Sequence, residues 1–207
     1  MALPAGAQVT PRHDSGVLTV RQRGQVLGQE QFQLHNGAAG GSLQARLRYR
    51  LGGRSVQQDA VLHWLAGGRL AGYWWRQGGE RITVRMRGPR LQADYQPARG
   101  PAQTFQFQLA ATTAILDANV YSLWEPLADR YVLARGGTQT FSVFVPHSGN
   151  PGQVRLTLLP AAPKSRASGL ERLRAETGQA TVYLVLRNGR LLRLSLPADG
   201  VVVTRDR

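Results

Sequence analysis

The residues that most resemble catalytic machinery are the consecutive His13, Asp14 and Ser15. They are the three residue types of a hydrolase triad, in which a base activates a hydroxyl nucleophile and a carboxylate orients the base. Three neighbours on an extended chain cannot face one another as that chemistry requires. A hydrolytic centre at this position is therefore disfavoured.

Other catalytic chemistries find little support. Asp117 and Asp129 could form an acid–base pair, but Asp117 is more typical of a turn cap and Asp129 of a carboxylate facing solvent or an arginine. The histidines lack the paired spacing of metal ligands, and no glycine motif has the strand, loop and helix context of a phosphate site. Cysteine is absent, which removes thiolate nucleophiles and disulfides. We predict a protein that is not an enzyme, with no catalytic residue, no metal and no cofactor.

A set of apolar side chains indicates binding instead. A long meander with one helix can close over that helix, so that these residues only pack the core, or it can remain a half-barrel with a groove. An open groove would hold an acyl chain or another hydrophobic ligand. The predicted ligand-binding residues are Trp64, Trp74, Phe105, Phe107, Trp124, Tyr131, Phe141 and Val143.

Rows of arginine form a second candidate surface. Basic strands near aromatic residues, here 73–75, are typical of single-stranded nucleic-acid binders, in which charge contacts the backbone and rings stack on bases. Against this interpretation, the aromatic residues mostly fall on the apolar side of the strand alternation. The rows would equally suit anionic headgroups, or a solvated face that resists aggregation. The predicted anionic-group-binding residues are Arg46, Arg48, Arg50, Arg81, Arg85 and Arg87.

The net charge favours an anionic partner. The 207 residues carry a charge of +14, with 26 basic and 12 acidic side chains. Codon usage would explain why arginine outnumbers lysine but not why acidic residues are few. Such a surface favours nucleic acid, anionic lipid or an acidic protein. No apolar run approaches the ~20 residues needed to span a bilayer.

Strands must position most of these residues. Two-residue alternation, clearest over 43–51 and 81–87, predicts an antiparallel meander of about seven or eight strands in the first 110 residues. Asn188-Gly189 predicts a tight hairpin near the other end, with Tyr183 opposite Leu194 on its buried face.

Two segments predict helices. The segment 114–133 has apolar residues at helical steps, and Ser122 with Glu125 fits a capping box that would start the regular part at Leu123. Ser168 and Glu171 likewise predict a capped short helix over 170–177. The apolar residues at helical steps in the first segment are Val120, Trp124, Leu127 and Tyr131.

The chain has no repeat, composition break or linker. We therefore predict a flexible tail over residues 1–14 and a single β-rich domain over 15–207. Small residues at 5–7, before Gln8, look like the end of a signal peptide, with an ordinary alanine-rich start as the alternative.

Four parts of the chain together resemble uncharacterised bacterial envelope proteins. They are the hairpin 24–32, the lead 116–119 into the helix, the segment 136–146 and the final hairpin ending in Arg205. These are similar to spiral β-roll glycolipid-binding and lipoprotein-carrier-like folds. The resemblance implies a secreted or periplasmic protein whose sheet cradles a lipid-like molecule, with a cytoplasmic location left open.

These patterns predict a mainly β fold, a single highly curved antiparallel sheet (half-barrel or β-roll) with one main helix packed against it. The predicted function is non-catalytic binding of a hydrophobic or amphipathic ligand in the cell envelope, with an anionic membrane surface or envelope protein as partner. The alternatives are a nucleic-acid-binding protein and a structural component of an envelope assembly.

Overall fold

Alternating inward and outward side chains build one large sheet. The computed structural model describes residues 12–160 and 169–206, and within these ranges the protein is mainly β, with fifteen strands in an open sheet and a single short helix. The predicted fold class is confirmed. The strands are β1 (Arg12–Gln22), β2 (Gln25–Gly37), β3 (Gly40–Leu51), β4 (Arg54–Leu65), β5 (Arg69–Gln77), β6 (Glu80–Arg87), β7 (Arg90–Gln96), β8 (Gln103–Gln108), β9 (Ala114–Ile115), β10 (Thr138–Val145), β11 (Asn150–Leu158), β12 (Leu170–Glu176), β13 (Thr181–Arg187), β14 (Arg190–Leu196) and β15 (Val201–Arg205).

The sheet consists of two meanders joined in the middle. Its order is β8-β7-β6-β5-β4-β3-β2-β1-β15-β14-β13-β12-β11-β10-β9. Neighbouring strands are antiparallel except β9 and β10, which are parallel. The first meander has eight strands, which agrees with the predicted seven or eight, and β1 joins the second meander by pairing with β15.

The sheet is rolled around its inner face, where the core lies. The two ends of the sheet approach each other there. The ring centroid of Phe107 in β8 is 5.2 Å from the ring centroid of Phe144 in β10. The ring centroid of Trp75 in β5 lies 4.2 Å from that of His147, which is in the turn after β10. The segment 114–133, called the crosspiece below, fills the space inside the roll and contributes Val120, Leu123, Leu127 and Tyr131 to the core.

The crosspiece is helical over a shorter span than its pattern predicts. A 3-10 turn over Tyr121–Leu123 leads into α1 (Trp124–Ala128), which has only five residues. The predicted Ser122–Glu125 capping box is wrong, because neither start has a side-chain cap. Glu125 is fully buried and bonded to Arg12 instead, so tertiary contacts override the local helix signal.

Residues 170–176 form the strand β12, and the helix predicted over 170–177 is wrong. β12 pairs with β11 on one side and β13 on the other, with Leu173 and Ala175 buried on the inner face. A segment this short becomes a strand because neighbouring strands can pair with it on both sides, since strand preference depends strongly on context. Ser168, the predicted cap, lies outside the described residues.

The Asn188-Gly189 hairpin is confirmed, but its predicted register is wrong. A bulge between Val185 and Leu186 shifts the pairing, so Leu184 faces Leu194 and Tyr183 faces Ser195. A shift of one residue exchanges the two faces of a strand. Tyr183 is therefore on the outer face, where it is 38% exposed.

The predicted boundary between tail and domain falls inside β1. Arg12–Asp14 belongs to this strand, and Asp14 is buried. The rest of the predicted tail, residues 1–11, and the signal-peptide-like residues 5–7 lie outside the described residues. Among the described helices, none has the length and apolar character needed to cross a membrane.

Candidate functional site

The strands run between two ends of the roll, and a cleft lies at each end beside the crosspiece. End A carries the turns after β2, β4 and β13, and end B carries the turns after β1, β3 and β14. Arg130 donates to the Gly68 carbonyl (3.1 Å), which ties the crosspiece to an end A turn. At end B the Arg23 amide donates to the Gly200 carbonyl (2.8 Å), which joins the two meanders.

The A cleft has an apolar interior and an apolar rim. Its volume is about 960 Å³, within the range of roughly 300–1,000 Å³ that small-molecule sites occupy. Leu65 and Val132 line its mouth with about half of their surface exposed. The buried side chains that line its interior are Leu62, Trp64, Ile115, Leu123, Leu127 and Tyr131.

The B cleft has a more polar mouth. Its volume is about 850 Å³, and its apolar lining includes Val120, Trp124 and Val143. Arg155 and Glu176, which lie 3.4 Å apart, are at its edge. The two clefts are separated by the buried part of the crosspiece.

The structure divides the eight predicted ligand-binding residues among several places. Trp64, Tyr131 and Phe141 line the A cleft, and Trp124 and Val143 line the B cleft. The two polar ring groups in the A cleft are satisfied. The Trp64 indole donates to Asn36 Oδ1 (3.2 Å), and the Tyr131 hydroxyl donates to the Gly137 carbonyl (2.7 Å).

The other three predicted residues lie outside both clefts. Phe105 and Phe107 are in β8 at one edge of the sheet, where Phe105 is 39% exposed. Trp74 alternates with the buried Tyr73 and Trp75, so it is on the outer face. The expectation of one pocket lined by all eight residues is therefore not met.

All six predicted arginines are exposed on the outer face, and Trp74 lies among arginines. The Arg76 guanidinium carbon is 5.3 Å from the Trp74 ring centroid. Arg46 and Arg76 both bond to Asp59, at 2.6 and 3.1 Å, and these contacts lower the pKa of Asp59 against the opposing effect of its burial. The predicted residues with this exposed placement are Arg46, Arg48, Arg50, Arg81, Arg85 and Arg87.

A buried carboxylate anchors the start of the crosspiece. Glu30 of β2 is fully buried and accepts the amide hydrogens of Tyr121 (2.8 Å) and Ser122 (2.9 Å). Burial raises the pKa of Glu30, although the two amides partly offset that effect. Gln58 of β4 supports the preceding residues by donating to the carbonyl of Asn119 (3.3 Å).

A cluster of charged groups anchors α1 at end A. Arg12 of β1 bonds to Glu125 at 2.7 Å and to Asp129 at 3.0 Å. Beside them, Arg205 donates two hydrogen bonds to Asp14, at 3.0 and 2.6 Å. Burial and the neighbouring Asp14 carboxyl raise the pKa of Glu125 to about 9, and burial raises the pKa of Asp129 to about 6.

A third anchor fixes the crosspiece at end B. Asp117 accepts a hydrogen bond from the buried Tyr73 hydroxyl (2.7 Å) and contacts the His147 ring. Burial, followed by the charge of Asp117, raises the pKa of Tyr73 well above its ordinary value. These contacts tie β5, the crosspiece and the turn after β10 together.

The residues considered above as catalytic candidates do not form a common site. His13 and Ser15 are exposed on the outer face, whereas Asp14 points inward. Asp117 lines the B cleft and Asp129 the A cleft, so they form no acid–base pair. His13 instead contacts His35 across β1 and β2, with nitrogens 3.0 Å apart.

Sequence reasoning missed the anchoring residues Glu30, Arg12 and Tyr73. A signal was present for Glu30, since it occupies a position between Phe32 and Gly28 on the buried face of β2. A charged residue on an otherwise inward face requires a partner.

A scan against protein-family models and searches of curated proteins and of solved structures gave no match for this chain.

Proposed function

We propose that this protein binds a hydrophobic or amphipathic, lipid-like ligand without catalysis, in the A cleft. The observation that carries the proposal is a cleft of about 960 Å³ bordered by buried apolar side chains inside a packed roll. Transfer of an acyl chain from water to such a surface is favoured by roughly 0.8 kcal/mol per methylene. As part of the same proposal, the protein acts in a bacterial envelope, either periplasmic or secreted.

The polar groups beside the cleft suit an amphipathic ligand better than a purely apolar one. Arg12 and Asp129 line the same cleft as Trp64 and Phe141. A ligand with an apolar tail would place the tail against the aromatic side chains and its polar end toward the charged wall. Native mass spectrometry of the purified protein, followed by denaturing extraction, tests this directly: a discrete extractable lipid supports it, and a bare protein mass that takes up no added fatty acid contradicts it.

A charge placed in the A cleft should prevent ligand binding. Phe141→Glu is expected to weaken binding of a dansylated fatty acid by about 2 kcal/mol, roughly thirtyfold, because a carboxylate would be desolvated against the tail. Fluorescence titration measures the affinity, and circular dichroism establishes that the variant is folded.

The matched control is Trp124→Glu, which places the same charge in the B cleft. This variant should bind the fatty acid with near-native affinity. If Trp124→Glu loses binding while Phe141→Glu keeps it, the ligand occupies the B cleft and our assignment is wrong.

A second candidate function, binding of single-stranded nucleic acid, is favoured by one observation. Trp74 lies on the outer face beside Arg76, not in the core, so a partly buried ring and exposed arginines share one surface. This removes for Trp74 the main objection from the sequence, which was that aromatic residues point inward. A ring among guanidinium groups is the combination that stacks bases and contacts phosphates.

Oligonucleotide binding on this face should depend on both salt and Trp74. Affinity for an oligothymidylate of about twelve nucleotides should fall steeply between about 50 and 200 mM salt. Trp74→Ala should weaken it about tenfold, whereas Tyr183→Ala, which removes another exposed outer-face ring, should not. Fluorescence anisotropy measures both effects, and equal losses in the two variants would exclude stacking on Trp74.

A further inference from the structure

Two exposed apolar side chains, Leu65 and Val132, line the mouth of the A cleft, and the exposed Leu133 follows Val132 in the chain. Leu65 is 46% exposed, and Val132 and its neighbour Leu133 are each 47% exposed. Leu65 immediately precedes the end A turn to which Arg130 is bonded, and Val132 is two residues after Arg130. That contact brings the two apolar segments to the same rim. By contrast, Val26, which is 63% exposed, lies alone at the start of β2 at end B.

Exposed arginines surround this rim. Arg69 follows the 3-10 turn after β4, and Arg135 is in the 3-10 turn that begins at Leu133. Two further end A turns are flanked by arginine on both sides. These exposed flanking residues are Arg87 and Arg90 around the β6–β7 turn, and Arg187 and Arg190 around the β13–β14 turn.

The acidic groups nearest the cleft neutralise only part of that charge. Asp14 is bonded to Arg205 and lies 3.7 Å from Arg190, and Asp129 is bonded to Arg12. Among the described residues, no ion pair involves the other arginines named here, which are Arg69, Arg87, Arg90, Arg135 and Arg187. The end of the roll therefore combines an apolar centre with a positive periphery. Apolar side chains beside arginines are the arrangement that inserts at a bilayer interface and attracts anionic headgroups.

We propose that end A docks on an anionic lipid bilayer, with Leu65, Val132 and Leu133 in the headgroup region around the mouth of the A cleft. The inference rests on the proposed function and adds its partner, since a cleft that opens onto the bilayer exchanges its ligand without exposing an acyl chain to water. It also places the membrane contact at the end of the roll, where Arg87 alone among the six predicted outer-face arginines takes part.

Vesicle flotation tests the docking surface. The protein should float with vesicles of phosphatidylcholine containing about one third phosphatidylglycerol, and much less with phosphatidylcholine alone. The triple variant Leu65→Ser, Val132→Ser, Leu133→Ser should bind about tenfold more weakly, and the end B control Val26→Ser should bind as the native protein does. Failure to float with anionic vesicles at about 0.1 M salt, or an unchanged affinity of the triple variant, overturns the proposal.

Charge variants distinguish vesicle binding through the arginines of end A from binding through the overall positive charge of the protein. Arg69→Gln with Arg135→Gln should weaken vesicle binding about fivefold for each arginine removed. Arg23→Gln with Arg54→Gln removes the same net charge from exposed positions at end B and should have a small effect. Equal losses in the two double variants would show nonspecific adsorption and overturn the assignment to end A.

The proposed function has a separate readout. Titration of the dansylated fatty acid in solution, without vesicles, reports on the cleft alone. If that titration fails while end A variants still lose flotation, the docking surface stands and the cleft proposal falls. If the fatty acid binds and flotation fails, only the docking proposal is wrong.

Discussion

The Glu125→Gln variant is expected to be more stable than the native protein at alkaline pH, by about 2 kcal/mol or more at pH near 9. Glutamine reproduces the protonated form of Glu125, since its carbonyl accepts from Arg12 and its amide is a donor beside Asp14. It therefore keeps the contact with Arg12 and avoids the cost of a buried negative charge. It also places a donor at the buried Oε2 position, which has no hydrogen-bond partner among the described residues.

The pH dependence of this effect follows from the pKa values. The pKa of Glu125 is raised from 4.5 to about 9 and that of Asp129 from 3.8 to about 6, so the folded state binds more protons than the unfolded state between those values. Their contribution to stability is complete below the unfolded values and is lost as pH rises through about 6 and then about 9. Asp14 acts in the opposite direction. Burial alone would raise its pKa, but the hydrogen bond from Arg205 lowers it, so its contribution is lost below pH 3.8.

Urea unfolding at several pH values between about 5 and 9 measures this prediction. The native free energy of unfolding should decline across that range, and the Glu125→Gln curve should decline less. Glu80→Gln, in β6 and away from the cluster, is the matched control and should follow the native curve. Parallel curves for the native protein and Glu125→Gln would show that Glu125 is not the titrating group.

The Glu30→Ala variant, which lacks the buried carboxylate, should be destabilised by about 3 kcal/mol, because two buried amide hydrogens would lose their acceptor. Both oxygens are in use, one on Tyr121 and one on Ser122. Glu30→Gln should also be destabilising, since its NH2 group would face an amide donor. Gln33→Ala, at an exposed position of the same strand, should have little effect.

Hydrogen exchange localises that loss. The amides of Tyr121 and Ser122 should exchange much faster in Glu30→Ala than in the native protein, under conditions where the sheet remains protected. Unchanged protection of these two amides in a folded variant would mean that other contacts hold the crosspiece.

The sheet could be predicted from the sequence because its signal is local. Alternation over β3 and β6 and the turn residues Arg23-Gly24 and Asn188-Gly189 each act within a few residues. The errors arose where non-local contacts decide. Residues 170–177 have helical character as an isolated segment, yet β11 and β13 pair with them on both sides.

Bulges limit how well strand pairing can be predicted by counting residues outward from a turn. One bulge in β13–β14 moved Tyr183 from the predicted inner face to the outer face. Another bulge, between Val20 and Arg21, sets the pairing that brings His13 beside His35. A bulge inserts one residue through local backbone geometry, which the side-chain types here do not signal.

The candidate site was predictable only in part. Trp64, Tyr131 and Phe141 do share a cleft, because aromatic residues at inward positions gather inside a rolled sheet. Trp74 was misplaced, since a run of three aromatic residues in β5 must alternate between faces and only two of them point inward. The hydrogen bond from Arg12 to Glu125 spans 113 residues, a separation over which no sequence pattern operates.

The pairing of β1 with β15 bears on how the protein folds during synthesis. Leu18 pairs with Arg205, and Val20 with Val203, in the centre of the sheet. A ribosome must therefore deliver the residues of β15 before β1 gains its second neighbour, and until then β1 leaves an unpaired, apolar edge exposed. Pairing across such a separation closes a very long loop, which slows folding. We therefore expect the roll to complete only after synthesis of β15, with β1 vulnerable to mispairing in the interval.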